Sequence, residues 1–191
     1  TPLYCGATIT YAESLKSASL IANMRETSVT IMVGVPLLFE KLYFGILRAV
    51  RKRPFHVRLI FRLMLMVVKV AGTFGLNLGK AVFRGLRGKA GLGTIRLTVS
   101  GGGPLPYSVA KGFTELGIHI LQGYGLSETS PVLTASTLRH DNVRSAGLPL
   151  PDTMIRISKP DARGIGEIVA SGPTVMKGYF RNPKATSEVI Q

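Results

Sequence analysis

Cysteine is all but missing from this sequence: Cys5 is the only one in 191 residues. No disulfide can form within the chain, which fits a reducing, cytoplasmic compartment. The thiol itself is expected to be a small core group, since free cysteines bury readily. Long apolar runs are missing too. The densest, Leu63 to Val68, is far too short to cross a bilayer, and Thr1 to Thr10 lacks the basic start and apolar core of a secretory signal. Low-complexity tracts and repeats of solenoid length are absent, so neither disorder nor a repeat array is indicated. The chain opens on Thr1 and stops at Gln191 inside a helical pattern, so both ends read as cuts in a longer protein.

Acid is missing from one long window. Between Lys41 and Thr114 there is no Asp or Glu, but there are fourteen Lys and Arg. The rest of the chain sets ten basic against ten acidic residues, so the net charge of +14 arises entirely in that window. A region so basic suits an anionic partner such as phospholipid, nucleotide phosphate or nucleic acid, unless it is a solvated face or pairs with acids elsewhere in a longer protein. Nucleic acid is set aside, because no recognition module is visible and no aromatics are interleaved as a stacking platform. An anionic membrane surface stays in play, which would make the protein peripheral to a membrane. Ten of the cations lie between Arg51 and Lys89, and each contributes roughly 1 kcal/mol close to such a surface.

Hydrophobic types make up 46% of the residues, enough for one core and a small second domain. Tyr4 to Tyr11 alternates as a strand would, and Glu13 to Glu26 carries Leu15, Leu20, Ile21 and Met24 on a helical period. Val29 to Val33 reads as a short strand. Pro36 opens a helix whose face carries Leu38, Leu42, Ile46 and Val50. This β-α-β-α order is that of a doubly wound sheet. Phe55 to Val70 predicts a helix, either buried or lying on a membrane surface. Leu76 to Ala90 predicts a second, weakened by its glycines. Thr94 to Val99 and Ile118 to Leu121 read as strands joined by a helix over Leu105 to Leu116, a right-handed βαβ unit. Beyond about Leu138 short strands take over, Thr153 to Ser158 and Gly166 to Ser171, with a helix starting near Lys184. The fold class expected is α/β: a doubly wound, mostly parallel sheet with flanking helices over residues 1–140, a basic helical insert at 51–90, and part of a small β subdomain over 141–191.

Two glycine-rich loops leave the carboxyl ends of the paired strands, where open α/β sheets bind ligands. The first is Ser100-Gly101-Gly102-Gly103-Pro104. The second is Gln122-Gly123-Tyr124-Gly125-Leu126-Ser127-Glu128-Thr129-Ser130-Pro131. Glycines let a flat ring approach the backbone, and Tyr124 offers a face for stacking. Ser127 can donate to a phosphate, and Glu128 is the kind of hard oxygen ligand that Mg²⁺ takes beside substrate phosphates. On chemistry alone the alternatives stay open: Gly-Gly-Gly-Pro also makes plain turns, and Glu128 could support a helix start.

At these residues the chain resembles the adenylate-forming superfamily of acyl-CoA synthetases, firefly luciferase and peptide-synthetase adenylation domains. Ser100 to Pro106 is similar to that family's first adenine loop. Gln122 to Pro131 resembles its Tyr-Gly-x-Thr-Glu motif, with Ser127 in place of Thr. Gly147-Leu148-Pro149 with Ile155-Arg156-Ile157, and Gly166-Glu167-Ile168 with Gly172-Pro173 and Met176-Lys177-Gly178-Tyr179, are similar to the next two segments. Gly34-Val35-Pro36 with Glu40-Lys41-Leu42-Tyr43 resembles long-chain members, as does the basic insert.

The resemblance implies a two-step reaction. A fatty acid carboxylate attacks the α-phosphate of ATP to give acyl-AMP and pyrophosphate, and the thiol of coenzyme A then displaces AMP. It implies a nucleotide site at Gly102, Gly103, Pro104, Gln122, Gly123, Tyr124, Gly125 and Ser127, with Gly123 and Gly125 also bordering the acyl chain. Ser127 and Glu128 would be catalytic, and Glu128 would hold Mg²⁺. It further implies parts not seen in this sequence: an upstream phosphate loop, a downstream ribose-binding aspartate, and a mobile C-terminal domain with a catalytic lysine. The chain alone is therefore expected to be inactive. A ligase for an aryl or amino acid, or an inactive synthetase-like protein, are the alternatives.

Overall fold

A proline in the first turn of a helix forfeits no hydrogen bond, and in the computed structural model α2 (Pro36–Arg51) starts on Pro36. The structure describes residues 2–14, 16–140 and 142–190. Leu15 of the first expected helix lies outside them. Two compact units divide the chain, Thr1–Gln122 and Gly123–Gln191.

The first unit runs α1 (Ser17–Glu26), β1 (Ile31–Gly34), α2, α3 (Phe55–Thr73), α4 (Gly79–Val82), α5 (Arg84–Lys89), β2 (Leu97–Ser100), α6 (Tyr107–Glu115) and β3 (His119–Tyr124), whose last two residues belong to the second unit. β1 pairs parallel with β2, Ile31 opposite Leu97, and β2 parallel with β3, Leu97 opposite His119. The expected α/β class and the βαβ unit are therefore present. The core of this unit is aromatic and aliphatic. Phe39 and Phe113 are fully buried and meet edge to face at 5.8 Å. Val109 and Ala110, on α6 with Phe113, are buried too, and Leu42 and Ile46 of α2 are buried on the predicted face.

Three expectations are corrected. Tyr4 to Tyr11 is not a strand. Residues 2–7 close a turn, with Gly6 and Ala7 N–H donating to the carbonyls of Leu3 and Pro2 at 3.0 and 2.9 Å; an alternating pattern makes a strand only where a partner pairs with it. Cys5, expected in the core, lies in this turn and is exposed. Leu76 to Ala90 is not one helix: α4 and α5 break at Phe83, which is buried.

α3 is a helix as predicted, but it is not buried all round. Val68 and Ala71 are buried, and Val57, Phe61 and Met64 are half-buried on the same side. Leu59, Ile60, Leu63, Met66, Val67 and Val70 are between 43% and 58% exposed. Among the described residues no helix is long and apolar enough to cross a membrane.

In the second unit, the end of β3 pairs antiparallel with β4 (Thr134–Ala135), and β4 with β5 (Leu148–Pro149). β6 (Met154–Ser158) and β7 (Glu167–Ser171) form a hairpin of five residue pairs. Its loop is tied by Asp161 Oδ1, which accepts from the N–H of Arg163 and Ile165 at 2.8 and 2.9 Å. α7 (Pro183–Val189) is capped by Asn182 Oδ1, which accepts from Ala185 N–H.

Candidate functional site

The first loop grows from the carboxyl end of β2. Gly101 N–H donates to Gly34 O at 3.2 Å, so the loop starts pinned to β1. Gly102 has φ +78°, a conformation that side chains with a Cβ resist. A Cβ on Gly101 would meet nothing within 4 Å, and one on Gly103 would only touch Pro36 at 3.7 Å. Open space therefore faces Gly101, while Gly103 packs in ordinary contact with Pro36. Leu105 then dips into the core before Pro106 leads into α6. Ser100 Oγ, at the base of the loop, is buried without a hydrogen-bond partner. Parallel register sets Ser100 opposite Gln122, so Gln122 stands beside the start of this loop.

Past Gln122, the second loop belongs to the second unit. Gly123 and Tyr124 pair with Ala135 and Thr134, and Leu133 N–H donates to Tyr124 O at 2.8 Å. The chain then doubles back so closely at Gly125 that a Cβ would collide with the carbonyl of Pro131, 2.7 Å from its carbon, and lie 2.8 Å from Cα of Val132. Residues Ser127–Thr129 form one 3₁₀ turn. Its entry is held by the buried Thr129, whose Oγ1 accepts from Leu126 N–H at 2.9 Å. Ser127 is exposed.

Glu128 is tied from two directions. Its backbone carbonyl accepts from Met176 N–H at 2.7 Å. Its Oε1 accepts from the Tyr179 hydroxyl, also at 2.7 Å. That bond, aided by backbone N–H donation within the turn, holds the Glu128 carboxyl below the usual glutamate pKa. The same bond raises the Tyr179 phenol above its usual value. The carboxylate is thus held charged and aimed by its bond to Tyr179. Among the described residues no three His, Cys, Asp or Glu gather to form a complete metal cage. A lone carboxylate nevertheless fits Mg²⁺ of the substrate-borne kind, which takes one or two carboxylates and draws its other ligands from phosphates and water.

Gly102, Gly103, Pro104 and Gln122 thus lie in the first unit, and Gly123, Tyr124, Gly125, Ser127 and Glu128 follow one another in the second. The stretch Met176 to Tyr179 stands out in the sequence, but nothing local there assigns Tyr179 a role. A tyrosine after glycine in a loop is the only local signal there, and it names no partner.

Residues 1–180 match the family described as AMP-binding enzyme. The chain is similar to the long-chain-fatty-acid–CoA ligase heimdall of Drosophila melanogaster, 31% identical over 198 residues that cover 96% of this chain and 29% of that protein. It is similar to the probable acyl-activating enzyme 16, chloroplastic, of Arabidopsis thaliana, 42% identical over 119 residues, 58% of this chain and 16% of that protein. It is also similar to a feruloyl-CoA synthase of Amycolatopsis sp, 37% identical over 109 residues, 53% of this chain and 22% of that one. The chain therefore spans less than a third of the length of these relatives. Among solved structures, the anthranilate CoA ligase AuaEII in complex with anthranoyl-AMP superposes with a TM-score of 0.68 at 16% identity, covering 100% of this chain and 31% of that one. O-succinylbenzoate coenzyme A synthetase (MenE) from Bacillus subtilis, in complex with AMP, gives 0.63 at 21%, covering 100% and 32%. At these identities the structural likeness establishes the fold.

Proposed function

Because the chain belongs to the AMP-binding enzyme family, we propose that it is part of a fatty acid–CoA ligase. That enzyme would join a fatty acid carboxylate to AMP with release of pyrophosphate, then pass the acyl group to the thiol of coenzyme A. The observation that carries the reading is Glu128, a carboxylate kept ionised by Tyr179 on the loop that follows a backbone-lined strand end. Open space at Gly101 would leave room for a nucleotide beside Gly102, Gly103, Pro104 and Gln122, and Tyr124 would offer a stacking face. Ser127 would donate to a phosphate. Gly123 and Gly125 would border the acyl chain. Glu128 would hold Mg²⁺, which neutralises phosphate charge as pyrophosphate departs. This stretch by itself would be inactive, since the phosphate loop and the C-terminal lysine of the resemblance lie outside it.

Fatty acyl specificity is supported by the fatty acid ligase whose likeness runs over 96% of the chain. Likeness to the feruloyl-CoA synthase favours an aryl acid as the second reading. ATP–pyrophosphate exchange by the full-length enzyme separates them. Medium- and long-chain fatty acids should drive exchange well above cinnamate-type acids or amino acids. Exchange confined to aryl or amino acids would move the reading to that class, and none with any acid would indicate an inactive relative.

A membrane surface is the proposed place of substrate pickup, for a peripheral protein of the cytoplasm. On a wheel of 3.6 residues per turn, Leu59, Leu63, Met66 and Val70 of α3 fall within about 60° of arc, and Arg58, Arg62 and Lys69 within about 40° beside them. An exposed apolar row flanked by cations is the pattern of an interfacial helix. Sedimentation with anionic vesicles should fall steeply with salt, and be largely lost when Arg58, Arg62 and Lys69 become Gln. Equal binding to neutral vesicles would reduce this face to ordinary packing surface.

A further inference from the structure

A basic cavity lies at the end of the sheet away from the glycine-rich loops. Those loops leave the carboxyl ends of β2 and β3. A cavity of about 230 Å³ opens instead at their amino ends, lined by Asn77, Lys80, Arg87, Ile95, Arg96 and His119 among others. Four of the lining side chains are basic types and no lining residue is acidic. The cavity is smaller than the ~300–1,000 Å³ typical of sites for drug-sized ligands.

Arg87 is the telling residue. It is only 4% exposed. Nη2 donates to the carbonyls of Ile95 and Leu92 at 2.7 and 3.4 Å, but Nε has no hydrogen-bond partner. A guanidinium carries five N–H donors and stays charged, and burying one without an anion is costly. Burial lowers the Arg87 pKa from its usual value. The two main-chain bonds hold the 90–96 loop but leave the charge unanswered.

We propose that this cavity binds a phosphate group, held by Arg87, Lys80 and Arg96. It lies at the amino ends of β2 and β3, away from the glycine-rich loops, so the site is separate from the one proposed for ATP. The same chemistry is offered by a soluble phosphate ester or by the headgroup of phosphatidic acid.

The test uses the full-length enzyme and a variant carrying Lys80→Gln with Arg96→Gln. Both residues are exposed, so the fold is spared, and unchanged AMP affinity checks this. Inorganic phosphate is titrated calorimetrically at constant ionic strength with AMP saturating. Wild type should show saturable binding, and the variant should bind at least about tenfold more weakly, since charge-assisted bonds are each worth that order. An Arg87→Lys variant, if folded, should fall likewise. Flotation with phosphatidic acid vesicles that inorganic phosphate reverses at fixed ionic strength identifies a lipid headgroup as the source. Phosphate binding without such flotation identifies a soluble ester. Equal phosphate affinity in variant and wild type, or no saturable binding by wild type, overturns the site.

Discussion

Replacing Glu128 with Ala in the full-length enzyme is expected to cut acyl-AMP formation by about a hundredfold or more, as loss of a group stabilising transition-state charge commonly does. The carboxylate sits in a turn fixed by Thr129 and by Met176 N–H, neither of which needs the Glu128 side chain. The loss should therefore appear in chemistry and in the Mg²⁺ requirement, with little change in melting temperature. An unchanged rate at saturating Mg²⁺ would leave Glu128 as a turn residue. Tyr179→Phe gives a graded companion. It keeps the charge and removes the bond that depresses the Glu128 pKa. A depressed carboxylate stays ionised to lower pH, and the stability linked to it is present above the unfolded pKa and lost as pH falls through the folded one. Tyr179→Phe should thus move the acidic limb of the rate profile to higher pH, with the rate near neutrality falling less than in Glu128→Ala. An acidic limb that stays in place would remove Tyr179 from the positioning of Glu128.

Gly125→Ala should unfold or badly loosen the second unit. The obstacle is space: a Cβ there runs into the main chain of Pro131 and Val132, which cannot swing aside as a side-chain tip would. Overpacking of this kind costs about 1–3 kcal/mol and occasionally more. Gly123→Ala is the internal control, since its Cβ would stand 3.1 Å from Thr134 O and ask for a shift of only a few tenths of an ångström. Thermal unfolding should rank the two, with Gly125→Ala lower in melting temperature and acyl-AMP formation lost alongside it. A Gly125→Ala protein as stable as Gly123→Ala would mean that the loop relaxes freely.

What the sequence displayed well was local. Pro36 marked the start of α2, the apolar stripe over Leu105 to Leu116 marked α6, and the two glycine loops fell at strand ends. Each of these depends on neighbours within a few residues. The failures depended on distant ones. Tyr4 to Tyr11 has the alternation of a strand, but pairing needs a second strand that no local pattern announces. The apolar residues of α3 are spaced for a helix, yet spacing alone does not say which side the core takes. The bond from Tyr179 to Glu128 spans 51 residues, and neither residue carries a mark of the other. The same holds for Arg87: its charge was counted in the sequence, but its burial follows from where the 90–96 loop folds back over it.

The parallel pairing of β1 with β2 also sets a clock. Thr94 Oγ1 donates to Val29 O across 65 residues of chain, so the first strand must wait for α2 to α5 to be made before its partner exists. At about 5–20 residues per second, a ribosome needs roughly 3–13 s to supply it. During that interval the strand edge of β1 and the apolar row of α3 are both presented by a nascent chain. Helices form in microseconds and can close locally at once, while the sheet is withheld by synthesis itself. The helical stretch between the strands is thus made while β1 still waits for β2, and the rate of translation through it governs how long that pairing is delayed.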